Sequence, residues 1–163
     1  MSTPPSTASA RPHPLHVLRT TAFASGTLLL LVAVGVVLRQ PLLIPPLAAS
    51  AALVHSAPGL PISQPRNLVA GHLISATIGY GTLAAAGSNG WSAAVAAGLS
   101  LGAMMLTRTS HSPAVATAVI VVLQAPHPLP FLPLLGLAAV LLVLIGLLPG
   151  RVGAHPVRYP LSW

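Results

Sequence analysis

Long apolar stretches alternate with short polar or proline-rich segments along this chain of 163 residues. Four of the stretches are long enough, at about 1.5 Å of helical rise per residue, to cross or nearly cross a hydrocarbon core of about 30 Å. The pattern therefore predicts four full transmembrane helices, at residues 21–38, 67–86, 92–106 and 131–148. The first of them ends without a small-x-small cleavage site, so we expect it to be retained.

Two shorter apolar runs lie between these stretches, at residues 46–57 and 113–124. Each begins with a proline, which suits the first turn of a helix, and a proline-punctuated segment follows each. A run of about 12 residues makes only about 18 Å of helix, which is half a membrane crossing. The predicted fold is therefore an all-α membrane protein with four full transmembrane helices plus two proline-started half-helices.

The two short runs resemble each other. When Pro46 is placed over Pro113, proline, alanine and valine positions match and Ser50 faces Thr117. The chain then divides into two units, about 20–86 and 91–150, within a transmembrane domain at 20–150. If each half-helix and its extended tail complete a crossing, each unit has three spans and the second unit is inverted, a 3+3 inverted repeat.

A four-helix protein with two re-entrant or interfacial short segments is the alternative, and the repeat would then be compositional. We favour the inverted repeat, because irregular backbone at membrane depth needs protein or a water-filled cavity around it. Both arrangements have an even number of crossings, so the two termini share a side.

The termini differ in composition from the spans. Residues 1–19 are rich in Ser, Thr, Pro and Ala and predict a disordered tail, and residues 151–163 form a C-terminal tail. Arginines flank the first and last helices, at Arg11, Arg19, Arg151 and Arg158, with Arg39 as an exception between spans. The positive-inside rule therefore predicts a multi-pass protein of the cell (inner) membrane with both termini in the cytoplasm.

Composition narrows the possible chemistry. The chain is 54% apolar with a mean hydropathy of +0.86, and it contains seven arginines but no Asp, Glu, Lys or Cys. Without carboxylates or thiolates, a hard-cation site or a proton-coupled cation pathway is disfavoured, and we expect no metal, no cofactor and no catalytic residue. The arginines are scattered singly, so we expect no nucleic-acid partner. A chain this short can hardly enclose a wide pathway, so we expect a homo-oligomer.

Two groups of polar residues are the candidate site. Arg108, His111 and Ser112 precede the second half-helix, whose N-terminal amides carry partial positive charge. Arg66 and Asn67 begin a spanning helix that carries His72 one to two turns deeper. Because the chain has no carboxylate, these arginines depend on carbonyls, water, lipid phosphate or a bound anion. With the repeat positions, the predicted substrate-binding residues are Arg66, Asn67, His72, Arg108, His111, Ser112, Ser50 and Thr117.

Simpler interpretations of the same residues remain open. Arg108 and Arg66 can reach lipid headgroups from helix ends, and His111 can act only as a helix cap. His13, His16 and His155 lie in the tails, where we expect no function. His55 and His127 could bind a metal only with a third ligand, and the sequence spacing does not supply one. Small residues at helix-contact spacings predict close packing: Gly71, Ala76, Gly79, Gly98 and Gly102.

Four stretches, in order, resemble the landmarks of the HPP family of small integral membrane proteins. They are residues 44–51, residues 63–72 with Gln64-Pro65-Arg66-Asn67 and Gly71-His72, residues 107–114, and the terminal Arg158-Tyr159-Pro160. The family's His-Pro-Pro motif is His111-Ser112-Pro113 here, and Val115 stands where a glycine is usual. Some members of the family are linked to nitrite transport across plastid and cyanobacterial membranes. The resemblance implies a passive or proton-linked anion pathway.

Two functions follow as hypotheses. The first is a transporter or channel for a small monovalent anion, with nitrite as the leading candidate, and membrane lipid around it. The second is a non-transport membrane scaffold or lipid-binding subunit whose arginines contact only phosphate. An enzyme is not expected, because no carboxylate exists to orient a Ser and His pair.

Overall fold

The computed structural model describes residues 11–151 and 158–163, and all regular secondary structure in this part of the chain is helical, with no strand. Six α-helices follow in order, and short 3-10 turns at Pro61–Ser63, Ser112–Ala114 and Pro149–Arg151 join or end them. Their bounds are α1 Pro14–Leu38, α2 Pro45–Ser56, α3 Pro65–Ala86, α4 Gly90–Leu106, α5 Val115–Gln124 and α6 Pro128–Gly146.

Helix length separates these elements into two groups. Three helices, α1, α3 and α6, are both long and apolar enough to cross a membrane. The helix predicted at 92–106 forms as α4 but has only 17 residues, so the expectation of four full spans is met by three. The two half-helices form where they were predicted, as α2 and as α5 with its preceding 3-10 turn.

The first helix begins earlier than the sequence pattern indicated. Pro14 occupies the first turn of α1, and the Nδ1 atom of His13 accepts a hydrogen bond from the Leu15 amide at 3.3 Å. This cap starts the helix inside the segment predicted to be a disordered tail, so residues 14–19 are helical. Residues 1–10 and His155 lie outside the described residues.

Helix α3 is the centre of the bundle, with α4, α5 and α6 packed against it. Glycines on α3 allow α5 to approach it closely. A Cβ atom on Gly79 would lie 2.9 Å from Cβ of Val121 and 3.0 Å from the Ala118 carbonyl of α5. Gly71 and Gly79 therefore have the predicted packing role, whereas Gly98 and Gly102 on α4 have nothing within 4 Å of an added Cβ.

Contacts between helix ends define the two ends of the bundle. At one end the Arg19 guanidinium of α1 donates to the Pro149 carbonyl after α6, and Arg66 of α3 donates to the Thr107 carbonyl after α4 at 3.2 Å. We call this the arginine end. At the opposite end, Tyr80 of α3 donates to the Pro126 carbonyl before α6 at 3.0 Å.

The two half-helices run in opposite directions from a shared level inside the bundle. The last turn of α2 reaches the arginine end, where His55 and Arg19 line one cavity. The last turn of α5 reaches the opposite end, where the Leu123 carbonyl accepts from Ser88 at 3.4 Å. Their N-terminal parts meet between these ends, where Ser50 contacts His111. Each half-helix is thus entered through non-helical backbone, residues 39–44 and 107–111.

Candidate functional site

Three polar side chains meet where the half-helices converge. The Oγ atom of Ser50 lies 2.9 Å from Nε2 of His72 and 2.8 Å from Nε2 of His111. All three side chains are fully buried, and the two imidazole rings pack edge to face with centroids 5.2 Å apart. One serine hydroxyl therefore joins two histidines that are 39 residues apart in the chain.

The remaining ring nitrogens of both histidines are also bonded. Nδ1 of His72 lies 2.8 Å from Oγ1 of Thr117, which is fully buried on α5. Nδ1 of His111 lies 2.6 Å from the Ile62 carbonyl oxygen. Because a carbonyl only accepts, the Nδ1 atom of His111 carries a proton. The network thus fixes the tautomer of a neutral His111 and leaves its Nε2 as an acceptor.

Helix starts and a glycine hold the network in place. Pro46 lies in the first turn of α2, and its carbonyl accepts from the Ser50 hydroxyl at 2.9 Å, which directs Oγ of Ser50 toward the histidines. A Cβ atom on Gly71 would lie 2.9 Å from Cβ of His111 and 3.3 Å from the Thr109 carbonyl. Glycine at this position lets the His111 segment lie directly against α3.

The loop that supplies the Ile62 carbonyl is fixed by the start of α3. Ser63 donates to the Ala57 carbonyl at 2.7 Å, and Asn67 donates to the Pro61 carbonyl at 2.9 Å. The side-chain Nε2 of Gln64 donates to the carbonyls of Pro58 and Leu60, both at 2.9 Å. Asn67 is therefore a loop-fixing residue in this structure and lies outside the buried network.

Gln64 also holds the C-terminal segment. Its Oε1 atom accepts from the amides of Leu161 at 2.7 Å and Ser162 at 3.3 Å. Tyr159 packs against α6, where a Cβ on Gly146 would lie 2.8 Å from its ring. Burial raises the pKa of the Tyr159 hydroxyl to about 12. The segment after the last span therefore belongs to the folded structure at the arginine end.

The predicted site residues divide into a buried set and a surface set. The structure brings together Ser50, His72, His111 and Thr117 in the network, whereas Arg66, Arg108 and Ser112 are exposed. The Arg66 guanidinium bonds the Thr107 carbonyl, one residue before Arg108. Arg108 adopts a left-handed conformation with φ of 55°, which ends α4 and turns the chain back toward His111. The two arginines are exposed and lie outside the buried network.

A family model described as the HPP transmembrane region matches residues 9–160. The chain belongs to the HPP transmembrane family. Two transmembrane proteins of Dictyostelium discoideum are similar to it. One is 40% identical over 48% of this chain and 26% of its own length. The other is 34% identical over 71% of this chain and 43% of its own length. The HPP chain thus spans less than half the length of these two curated relatives. No solved structure matches it.

Three of the four HPP landmarks meet in the buried network, and the fourth lies in the C-terminal segment. Ser50, His72 and His111 each come from a different landmark and form the network, while Tyr159 of the fourth landmark packs in the segment held by Gln64. Gln64 of the Gln-Pro-Arg-Asn motif thus has a structural role, in the loop before α3 and in the C-terminal segment, that the sequence did not reveal. Gln64 fixes the loop that carries the Ile62 carbonyl, and this carbonyl bonds His111. In the sequence, only the Gln-Pro-Arg-Asn motif pointed to Gln64.

A third buried histidine, His55, lies outside the network. The Thr27 hydroxyl donates to the Phe23 carbonyl at 2.7 Å, so Nε2 of His55, 2.8 Å away, donates to Thr27. Nδ1 of His55 is then an acceptor with no partner among the described residues. His127 lines a separate cavity at the opposite end, so the two do not form the metal pair considered from sequence. Within residues 11–151 and 158–163, no three potential ligands cluster.

Proposed function

We propose that the HPP chain transports a small monovalent anion, with nitrite as the leading candidate. The observation that carries this proposal is the buried Ser50–His72–His111 network at the meeting point of two half-helices. Polar side chains inside a membrane bundle are costly and mark pathways more often than packing. In transporters, broken helices meeting near the middle of the membrane are typical of substrate sites.

Charge supports an anion over a cation. The chain has a formal charge of +7 and no acidic residue that could attract or coordinate a cation. Arg66 and Arg108 are exposed near the start of α3 and the end of α4, where their positive field raises the local concentration of anions. Hydroxyl and imidazole groups can donate hydrogen bonds to an anion of the size of nitrite, with no carboxylate nearby to repel it.

The opposed half-helices favour the inverted 3+3 arrangement. In this arrangement residues 39–56 and residues 107–124 each complete one crossing, with the extended part before the half-helix. The proposed arrangement differs from the sequence expectation in one detail, because there the extended part followed the half-helix. Arg19, Arg66 and Arg108 share one end, and Arg39 is at the other, which favours a cytoplasmic arginine end with both termini there.

Nitrite flux into proteoliposomes tests the transport proposal. Purified full-length protein should accelerate uptake above empty liposomes at neutral to mildly alkaline pH, where little nitrous acid leaks through lipid. An Arg66→Ala, His111→Ala double variant should lower the rate by about tenfold or more, a loss of ~1.4 kcal/mol or more in transition-state stabilisation. The matched control is Arg39→Ala, His55→Gln, which removes one arginine and one buried histidine away from the network.

Equal rates in the double variant and the wild type, with both proteins folded, would refute the site. No flux from the wild type would refute transport itself.

One observation favours the second candidate, a lipid-binding scaffold. A cavity of about 620 Å³ opens between α1, α2 and the end of α6, with Phe23 and Val54 on its apolar side and His13, His16 and Arg19 on its polar side. An apolar wall beside the Arg19 guanidinium suits a lipid with an anionic headgroup. This function predicts copurified anionic lipid and no nitrite flux. An Arg19→Gln variant should then lose the lipid.

We further propose that the protein forms a homo-oligomer. Many large apolar side chains of the described residues face outward, including Val37, Trp91 and Leu106, which suits contact with lipid or with another copy. Gly98 and Gly102 lie on an exposed part of α4, where an adjacent helix can approach closely.

A further inference from the structure

The cavity that His127 lines opens at the end of the bundle opposite the arginine end. It has a volume of about 260 Å³ and lies between the segment that enters α2 and the start of α6. The exposed side chains of Gln40 and His127 lie at its mouth, whereas its apolar lining includes the buried side chains of Leu47 and Leu135. We call this cavity the vestibule, because it leads from the surface toward the middle of the bundle.

One wall of the vestibule is non-helical backbone with free hydrogen-bond donors. Residues 39–44 enter α2 without forming a helix, and Leu42 and Ile44 of this segment line the vestibule. The amides of Leu42, Leu43 and Ile44 have no hydrogen-bond partner among the described residues. In the proposed 3+3 arrangement this segment lies at membrane depth, where such backbone is tolerated only if protein or water covers its polar groups. Water in the vestibule can satisfy these amides, whereas a lipid chain cannot.

A single side chain of α2 separates the vestibule from the buried network. Leu47 lines the vestibule and is only 1% exposed, and Ser50 follows it by three residues. Residues three apart on a helix lie on the same face, with Cβ atoms about 5–6 Å from each other. The Ser50 hydroxyl contacts both His72 and His111. The vestibule therefore ends one helical turn before the network.

The size and chemistry of the vestibule suit a small hydrated anion. A water molecule takes about 30 Å³ in the liquid, so the vestibule has room for several waters or for a small ion with part of its hydration shell. Backbone N–H groups donate hydrogen bonds to anions, and the sequence contains no Asp or Glu that would repel one. An anion can thus approach as far as Leu47 without losing all of its hydrogen-bond donors.

We propose that the vestibule is the route by which the anion reaches the network from the end opposite the arginine end, and that Leu47 is the apolar barrier between the two. The inference rests on the proposed transport function, and it places the pathway inside each protomer instead of between copies. An apolar constriction resists an ion because the ion must shed water to pass. The Leu47 side chain therefore limits the rate at which the anion enters the network.

Cysteine accessibility tests the vestibule without any measurement of flux. The sequence contains no cysteine, so an introduced cysteine is the only thiol. Leu134→Cys places it in the vestibule lining, and Leu137→Cys, the control, places it one turn further along α6 at an exposed position on the outer surface. A negatively charged, membrane-impermeant thiol reagent on both faces of proteoliposomes should modify Leu134→Cys and spare Leu137→Cys. An unmodified Leu134→Cys, or equal modification of the two, overturns the vestibule.

Substitution of Leu47 tests the barrier. Leu47→Ala should increase nitrite flux severalfold, because it shortens the apolar constriction, and Leu47→Phe should decrease it. Leu142→Ala is the control, because Leu142 is another fully buried leucine and lies on α6 outside the vestibule lining. It creates a similar internal void and should give no increase in flux. Flux through Leu47→Ala that is no higher than through Leu142→Ala overturns the barrier.

The two experiments separate this inference from the transport function on which it rests. A wild type without nitrite flux overturns transport and, with it, the role of Leu47. A wild type that transports nitrite while Leu134→Cys stays inaccessible overturns the vestibule and leaves transport by another route intact. Modification of Leu134→Cys should also lower the nitrite flux of that variant, and undiminished flux after complete modification overturns the route.

Discussion

Ser50 and Thr117 contact opposite nitrogens of one imidazole ring, Nε2 and Nδ1 of His72, at 2.9 and 2.8 Å. The same two residues face each other when the proline-started runs of the sequence are aligned. Equivalent positions of α2 and α5 therefore converge on a single side chain of α3. The sequence similarity of the two runs has a physical counterpart at the centre of the bundle, and it makes the two hydroxyls the first targets for substitution.

Replacement of Thr117 by valine should destabilise the fold. The variant keeps the shape of the side chain but leaves Nδ1 of the fully buried His72 without a partner, which costs about 1–3 kcal/mol. Denaturant unfolding in detergent measures the loss. Thr77→Val is the control, because the exposed Thr77 hydroxyl bonds only the Leu73 carbonyl of its own helix. A Thr117→Val protein as stable as Thr77→Val would show that the Thr117 bond is unimportant.

Hydrophobic pattern alone predicted the two half-helices, because proline and run length are local signals. It also predicted an apolar helical membrane protein, which the three long helices and the family match confirm. The predicted start of α1 was several residues too late, because the His13 cap and Pro14 begin the helix within a segment of polar composition. Local composition cannot reveal a cap that depends on one ring nitrogen.

Half of the predicted site residues lie in the buried network, since the repeat and the landmarks marked Ser50, His72, His111 and Thr117. Arg108 was grouped with them because it lies three residues before His111, and Arg66 because it begins the helix that carries His72. The left-handed turn at Arg108 separates the two in space, and a single backbone dihedral of this kind has no signature in composition. The Ile62 carbonyl was missed for a related reason, because any residue type can supply a backbone acceptor.

Replacement of Gly71 by alanine should weaken the contact between α3 and His111. The new Cβ would lie 2.9 Å from Cβ of His111 and 3.2 Å from Sδ of Met104, so the His111 segment must shift. Such overpacking costs about 1–3 kcal/mol. Thermal unfolding should show the loss, and nitrite flux should fall with it. Gly81→Ala on the same helix has open space around it and should be neutral or slightly stabilising. Equal melting temperatures for the two variants would contradict the packing role of Gly71.

Replacement of Gln64 by leucine should release the C-terminal segment. The variant removes the acceptor of the Leu161 and Ser162 amides, so hydrogen exchange at both amides should become faster. Mass spectrometry of peptides from the C-terminus measures the change. Asn67→Leu removes a loop bond of the same helix start but no bond to this segment, and it should leave the exchange of both amides unchanged. Slow exchange in Gln64→Leu would show that other contacts hold the segment.

Leucine at both Gly98 and Gly102 should prevent close association of copies through α4. An added Cβ at either position meets nothing within 4 Å in the described structure, and both positions are exposed, so we expect the fold to accept the larger side chains. We therefore expect a lower oligomer mass by light scattering in detergent, with unchanged unfolding of the protomer. Gly26→Leu on α1, which also has open space, is the control. An unchanged oligomer in the α4 variant would exclude this face as the interface.

Stability should fall at high pH through Tyr159, and phenylalanine should remove that fall. Burial raises the pKa of this hydroxyl to about 12, against about 10 in an unfolded chain, so the folded state binds its proton more tightly. The contribution of Tyr159 to stability is therefore complete below about pH 10 and is lost as the pH rises toward 12. Melting temperatures of the wild type should decline across that window more steeply than those of Tyr159→Phe.

At neutral pH the two tyrosines of the chain should respond in opposite ways to phenylalanine. The buried Tyr159 hydroxyl has no partner among the described residues, so Tyr159→Phe should be neutral or stabilising. The Tyr80 hydroxyl donates to the Pro126 carbonyl at 3.0 Å, so Tyr80→Phe should cost about 0.5–1.5 kcal/mol. A destabilised Tyr159→Phe protein would reveal a partner for its hydroxyl, and parallel pH profiles for wild type and Tyr159→Phe would assign the alkaline loss to another group.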